Sequence, residues 1–196
     1  MLKQVQHDVA IGVWLLGISR YLVFTDFFSD FMRIFLIGFM GCGKSTMGRT
    51  LALSLNMTFI DLDTFLEEKY FRTIPQIFAE EGEANFRLKE RKVLEEVAAF
   101  DDVIVATGGG APCFFDNVDL MNNSGLCFFL DVATSSLVSR LITAKTERPL
   151  IKGKSPEELH GFIEEMMEKR RPFYEKARYI LKGIEIRADQ VIELIK

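Results

Sequence analysis

The chain reads as an α/β protein built on a five-stranded parallel sheet with helices on both faces, and three observations carry that reading. Five short apolar runs alternate with longer stretches of helical spacing, the pattern of a parallel sheet covered on both sides. The first run leads directly into G-F-M-G-C-G-K-S at residues 38–45, which fits G-x-x-x-x-G-K-[ST]. The residues with chemistry to offer fall at the carboxyl ends of the runs, where ligands of such sheets collect.

Ile34, Phe35, Leu36 and Ile37 make the first strand, which delivers the chain to a glycine-rich turn. Such a turn points successive N–H groups inward at phosphate oxygens. A helix opening near Lys44 adds its partial positive end; Lys44 would neutralise the β and γ phosphates, and the Ser45 hydroxyl would ligate Mg²⁺. Residues 46–55 continue as an amphipathic helix. Residues 57–61 (M-T-F-I-D) form a short strand ending in an acid, and 62–70 have helical spacing. Residues 75–100 carry one short and one long helix, broken around Gly82. Residues 103–106 are β-branched and apolar, a central strand closed by Thr107 and three glycines. A brief helix at 116–122, a buried strand at 126–130 and a helix at 134–144 follow. Residues 145–155 are polar around Arg148-Pro149 and read as a loop. A long helix spans 156–176 with Pro156 near its start, then come a last strand at 179–181 and a closing helix at 188–195.

At 196 residues the chain suits one domain with a substantial core. Hydrophobic content of 48% and charged content of 27% are ordinary for a soluble globular protein. The net charge of −4 argues against a general nucleic-acid surface, so an anionic ligand must be held by a few placed cations. Cys42, Cys113 and Cys127 have no metal-like spacing and suggest no structural disulfides, which fits a reducing cytoplasm. The apolar stretch at 11–24 is short for a membrane span and is interrupted by Arg20, and no small-residue cleavage site follows it. Met32 stands just ahead of the first strand. The folded domain is therefore expected over 32–196, with 1–31 an appendage from an upstream start in the reading frame.

Several residues are chemistry candidates, and each has a plainer reading. Asp61 and Asp63 offer one carboxylate to the metal's water shell and one to an acceptor hydroxyl; equally, they suit a helix N-cap and an acid in the first turn. Glu83 and Arg87 stand at i,i+4, which is commonly a surface ion pair. Gly108, Gly109 and Gly110 have no packing purpose at a strand end and suggest close approach of the backbone to a ligand. Arg148 is either a lid arginine or a solvated loop charge. Arg170 and Arg171 suit a basic helix end. His7 and His160 sit in no pattern.

Taken together, G38-F-M-G-C-G-K-S-T46, D61-L-D63, G82-E-A-N-F-R87, T107-G-G-G110, R148-P-L150 and K169-R-R-P-F-Y-E-K-A177 closely resemble the shikimate kinase family, from Arg33 to the C-terminus. That resemblance implies the three-layer P-loop kinase fold with strand order 2-3-1-4-5, a small helical substrate-binding region at about 62–92, and a lid at about 145–155. It implies transfer of the γ-phosphoryl of ATP to the 3-hydroxyl of shikimate in the cytoplasm, by a monomer with one Mg²⁺ per active site. Carried over by position, Gly41, Cys42, Gly43, Lys44, Ser45 and Thr46 would hold the phosphates, with Ser45 on Mg²⁺ and Asp61 assisting through water. Asp63 would orient the acceptor and take its proton. Arg87 and Arg170 would clamp the substrate carboxylate, Gly109 would contact a hydroxyl, and Arg148 would reach the phosphates. Arg187 resembles a family contact near the adenine. The family often has a further arginine before the lid, packing on the adenine; here that role is unfilled or shifted to Arg140. Neither nucleic acid nor membrane is expected as a partner.

Two other classes compete with this one. A related kinase for gluconate or a nucleotide is opposed by the Arg87–Arg170 pair, suited to a carboxylate, and by the lack of an extended nucleobase-binding insert. A GTPase-type switch needs an Asn/Thr-Lys-x-Asp stretch, and Ala144-Lys145-Thr146-Glu147 fails at both ends.

Overall fold

The computed structural model describes residues 32–144, 151 and 153–196. The expected appendage at 1–31 and most of the expected lid, Arg148 included, lie outside the described residues. Among the described residues, no helix is long and apolar enough to cross a membrane.

Five parallel strands form one sheet in the order β2-β3-β1-β4-β5. They are β1 (Arg33–Ile37), β2 (Thr58–Asp61), β3 (Val103–Ala106), β4 (Leu126–Val132) and β5 (Tyr179–Gly183). The helices are α1 (Lys44–Leu55), α2 (Leu62–Tyr70), α3 (Ile74–Val97), α4 (Asn117–Ser124), α5 (Thr134–Thr143), α6 (Pro156–Tyr174) and α7 (Ala188–Leu194). Central β1 and β3 are apolar along nearly their whole length because helices cover both their faces, and Ile34 to Ile37 and Val103 to Val105 are fully buried.

Boundaries differ from the sequence reading in a few places, each for a long-range reason. β4 runs two residues further, to Val132, because Asp131 and Val132 find partners in Lys182 and Gly183 of β5. The break at Gly82 is present: its φ of 78° and ψ of 173° interrupt α3 and divide it as expected. A short 3-10 turn at Ala111–Cys113, which the sequence did not announce, follows the glycines.

The register levels the ends that matter. Leu36 pairs with Ala106, and Ala106 with Asp61, so the phosphate loop, the acids after β2 and the glycines after β3 all leave the sheet from one edge.

Candidate active site

The loop after β1 is shaped by its glycines. Gly38, Gly41 and Gly43 adopt φ of 140°, 81° and 101°, a region where a side chain is strained. Gly43 is also the N-cap of α1 and supplies no side-chain cap, and no acid occupies the helix's first turn. The first N–H groups of α1 are thus left facing the loop, a ready anion site. Lys44, almost buried, folds back into the loop and donates from Nζ to the carbonyls of Gly38 at 2.8 Å and Phe39 at 3.1 Å.

Asp61 stands at the N-cap of α2 yet makes no side-chain cap bond. Its Oδ2 instead accepts from Ser45 Oγ at 2.6 Å. This separates the two readings of that acid: its carboxylate faces the phosphate loop across β3 rather than its own helix. Asp63, in the first turn of α2, is pushed above its ordinary pKa by burial first and by the nearby Asp61 and Glu67 charges, with Lys44 and Arg87 pulling the other way. A carboxyl of raised pKa beside an ammonium and a guanidinium is suited to take a proton.

The glycine run has a packing purpose after all, which corrects the sequence reading. A Cβ at Gly108 would lie 2.7 Å from Asp63 Oδ1 and 3.2 Å from Glu90 Oε1; one at Gly110 would lie 3.0–3.3 Å from the Arg87 guanidinium. The glycines seat the polar side chains of neighbouring helices. The Gly109 carbonyl accepts from the Tyr174 hydroxyl at 2.5 Å and from Arg170 Nη1 at 3.3 Å, so α6 is fastened to this strand end. Arg170 and Arg171 thereby part company. Arg171 grips Asp131 with both Nη atoms, at 3.0 and 3.1 Å, and ties α6 to β4, while Arg170 turns to the site.

Arg87 does form the surface-type pair with Glu83, at 3.1 Å, but also donates from Nη1 to Glu90 at 2.8 Å. Glu90 was missed in the sequence. Only 2% of its side chain is exposed, and burial raises its pKa against the opposing charge and hydrogen bond of Arg87. Its signal was there to read: Phe86, Glu90, Val93 and Val97 form one buried stripe of α3, and a carboxylate on an apolar stripe needs a partner.

A cavity of about 410 Å³ opens over this edge, lined among others by Gly41, Gly43, Lys44, Ser45, Thr46, Asp61, Asp63 and Gly109. Arg140 and Leu141 of α5 close one side. Arg140 bridges the carbonyls of Cys42, at 3.2 Å, and Ile184, at 3.1 Å. Cys42 is buried in the loop. Arg187 is not brought to the cavity. Its side chain is 70% exposed and pairs with Asp189, although it follows Ile184 by three residues. Of the two arginines that are candidates for the nucleotide base, Arg140 is the one beside the phosphate loop.

Four similarities bear on this geometry. The family profile described as shikimate kinase matches residues 40–196. A shikimate kinase of Phocaeicola vulgatus is 52% identical over 161 residues, 82% of this chain and 92% of the relative. Among solved structures, the shikimate kinase of Bacteroides thetaiotaomicron superposes with a TM-score of 0.80 at 45% identity, covering 84% of this chain and 98% of that one. The Acinetobacter baumannii shikimate kinase in complex with shikimate gives 0.75 at 34% identity, over 86% and 94% of the two chains.

Proposed function

The chain belongs to the shikimate kinase family, and from that premise we propose how its residues divide the work of the reaction. The enzyme transfers the γ-phosphoryl group of ATP to the 3-hydroxyl of shikimate. The observation that carries the assignment of roles is the meeting of the phosphate loop, Asp63 and the arginines of the glycine run at one edge of the sheet.

Phosphoryl transfer asks the protein chiefly for position and charge. The open N–H groups of residues 41–46 receive the phosphates, and Lys44 exchanges its two carbonyl acceptors for the β and γ oxygens. Arg87 and Arg170 stand at the end of the same glycine run and hold the acceptor's carboxylate, a task for which the guanidinium fork is suited. The backbone at Gly109 then meets a hydroxyl, and Asp63 orients the 3-hydroxyl and accepts its proton as the oxygen attacks. Its raised pKa makes it the better base.

Among the described residues there is no cluster of three metal-binding acids, histidines or cysteines. Magnesium on a nucleotide does not require one, since it keeps several waters and takes only one or two protein oxygens. Ser45 Oγ and Asp61 Oδ2, 2.6 Å apart beside the phosphate loop, are hard oxygen donors of the right kind. Ser45 would bind the ion directly and Asp61 through water. When bound, the ion would supply positive charge to the phosphates. We further propose a monomer working in the cytoplasm.

An ADP-release assay across shikimate, quinate, gluconate and nucleoside monophosphates, with and without a magnesium chelator, tests this reading. Shikimate should stimulate ADP release strongly and only with Mg²⁺ present. A better rate with gluconate or a nucleotide would overturn it.

A further inference from the structure

The Arg87 guanidinium is held by two carboxylates and lies over an aromatic ring. Nε and Nη2 donate to Glu83 at 3.3 and 3.1 Å, and Nη1 donates to Glu90 at 2.8 Å. Of five guanidinium N–H groups, these three leave one on each terminal nitrogen for a further acceptor such as a carboxylate. The Arg87 Cζ lies over the Phe114 ring, 4.0 Å from the ring centroid, closer than its 5.0 Å approach to Phe86. Gly110 lacks the Cβ that would stand 3.0–3.3 Å from the same group. Gly110 and Phe114, on either side of the 3-10 turn, therefore make a slot for a planar cation.

The backbone that carries Phe114 is held firmly. Fully buried Asn117 donates from Nδ2 to the Ala111 carbonyl at 2.7 Å and from its backbone to the Phe114 carbonyl at 3.3 Å, while Arg91 donates to its Oδ1 at 2.8 Å. Its neighbour Phe115 turns outward and is 56% exposed. Phe114 is half-buried, and its ring is the one over the cation.

We propose that Phe114 is a positioning residue for acceptor binding: its ring face fixes the Arg87 guanidinium so that the two N–H groups not taken by Glu83 and Glu90 are presented to the carboxylate of the substrate. The proposal rests on the reading of Arg87 as the carboxylate contact. Without the ring, the two glutamates still hold the guanidinium, but its plane can tip and those two N–H groups lose their aim. An aromatic face also attracts the cation, by an amount that corresponds to about 3- to 10-fold in binding.

The test is steady-state kinetics of Phe114→Leu, Phe114→Tyr, Phe115→Leu, Arg87→Ala and the Arg87→Ala/Phe114→Leu double variant, with melting temperatures. Leucine keeps apolar bulk and removes the π face. Phe114→Leu should raise KM for shikimate by about 3- to 10-fold while kcat and KM for ATP stay within about twofold of wild type. Phe114→Tyr and Phe115→Leu should behave as wild type. In the Arg87→Ala background the leucine should add nothing. A normal shikimate KM in Phe114→Leu, equal losses for both substrates, no rescue by tyrosine, or additive effects with Arg87→Ala would each overturn the proposal. If Arg87→Ala itself leaves shikimate KM unchanged, the reading of Arg87 fails first; a severe Arg87→Ala beside a neutral Phe114→Leu removes only the role of Phe114.

Discussion

Asp63 Oδ1 lies where a Cβ on Gly108 would come within 2.7 Å, so the carboxylate proposed as base occupies space that only glycine at the end of β3 leaves free. Gly108 has no left-handed backbone to protect, and the atom in conflict is the tip of a side chain. Gly108→Ala should therefore fold, with its melting temperature within a few degrees of wild type, while displacing Asp63 from the acceptor. A fall in kcat/KM of about 10²-fold or more is expected, since misplacement by about an ångström can cost that much. An alanine variant of normal activity would show that Asp63 does not work from this seat.

The pH dependence follows from the same acid. Burial raises the Asp63 pKa in the folded protein, so between its ordinary value and the folded one the native state binds more protons than the unfolded chain. Stability contributed by this group is then present at low pH and lost as pH rises through that window. At neutral pH the ionised carboxylate weighs against the fold. Asp63→Asn should accordingly melt at or above the wild-type temperature while losing about 10²-fold or more in kcat/KM. The acid limb of kcat/KM in the wild type should lie above the usual aspartate range and disappear in the variant. Destabilisation of Asp63→Asn at neutral pH would contradict the assignment.

What could be read from the sequence, and what could not, divides by range. The strands, the phosphate loop and the break at Gly82 are set by neighbours in the chain, through apolar runs and the backbone freedom of glycine. The meeting of Asp61 with Ser45 could be foreseen because both follow parallel strands at one edge. The seats made by Gly108 and Gly110 could not, because the side chains that fill them come from α2 and α3. The division of labour between adjacent Arg170 and Arg171 depends on Asp131, forty residues away. Glu90 lay between these cases: the stripe was visible, but its partner Arg87 was already spoken for by Glu83.

Arg148 lies outside the described residues, and its role is proposed from the motif. If it reaches the transferring phosphoryl group, Arg148→Ala should lower kcat by about 10³-fold, as for other phosphate-directed arginines, and leave shikimate binding nearly unchanged. A fully active variant would reduce it to a solvated charge.

The nucleotide end of the site turns on two arginines that the sequence left open. Arg140 spans the Cys42 and Ile184 carbonyls and lines the cavity, whereas Arg187 is exposed and engaged with Asp189. The Arg140 bridge joins the phosphate loop to the segment between β5 and α7, so its loss should loosen the wall on which the nucleotide rests. Arg140→Ala should raise KM for ATP by about 10-fold, the equivalent of roughly 1.4 kcal/mol, with KM for shikimate little changed. Arg187→Ala removes only an exposed ion pair, a type that contributes little, and should leave both constants near wild type. The opposite pattern, with ATP affinity falling in Arg187→Ala and not in Arg140→Ala, would mean that Arg187 leaves Asp189 for the base when nucleotide binds. Binding of a non-hydrolysable ATP analogue to both variants, followed by calorimetry, decides between the two without relying on turnover.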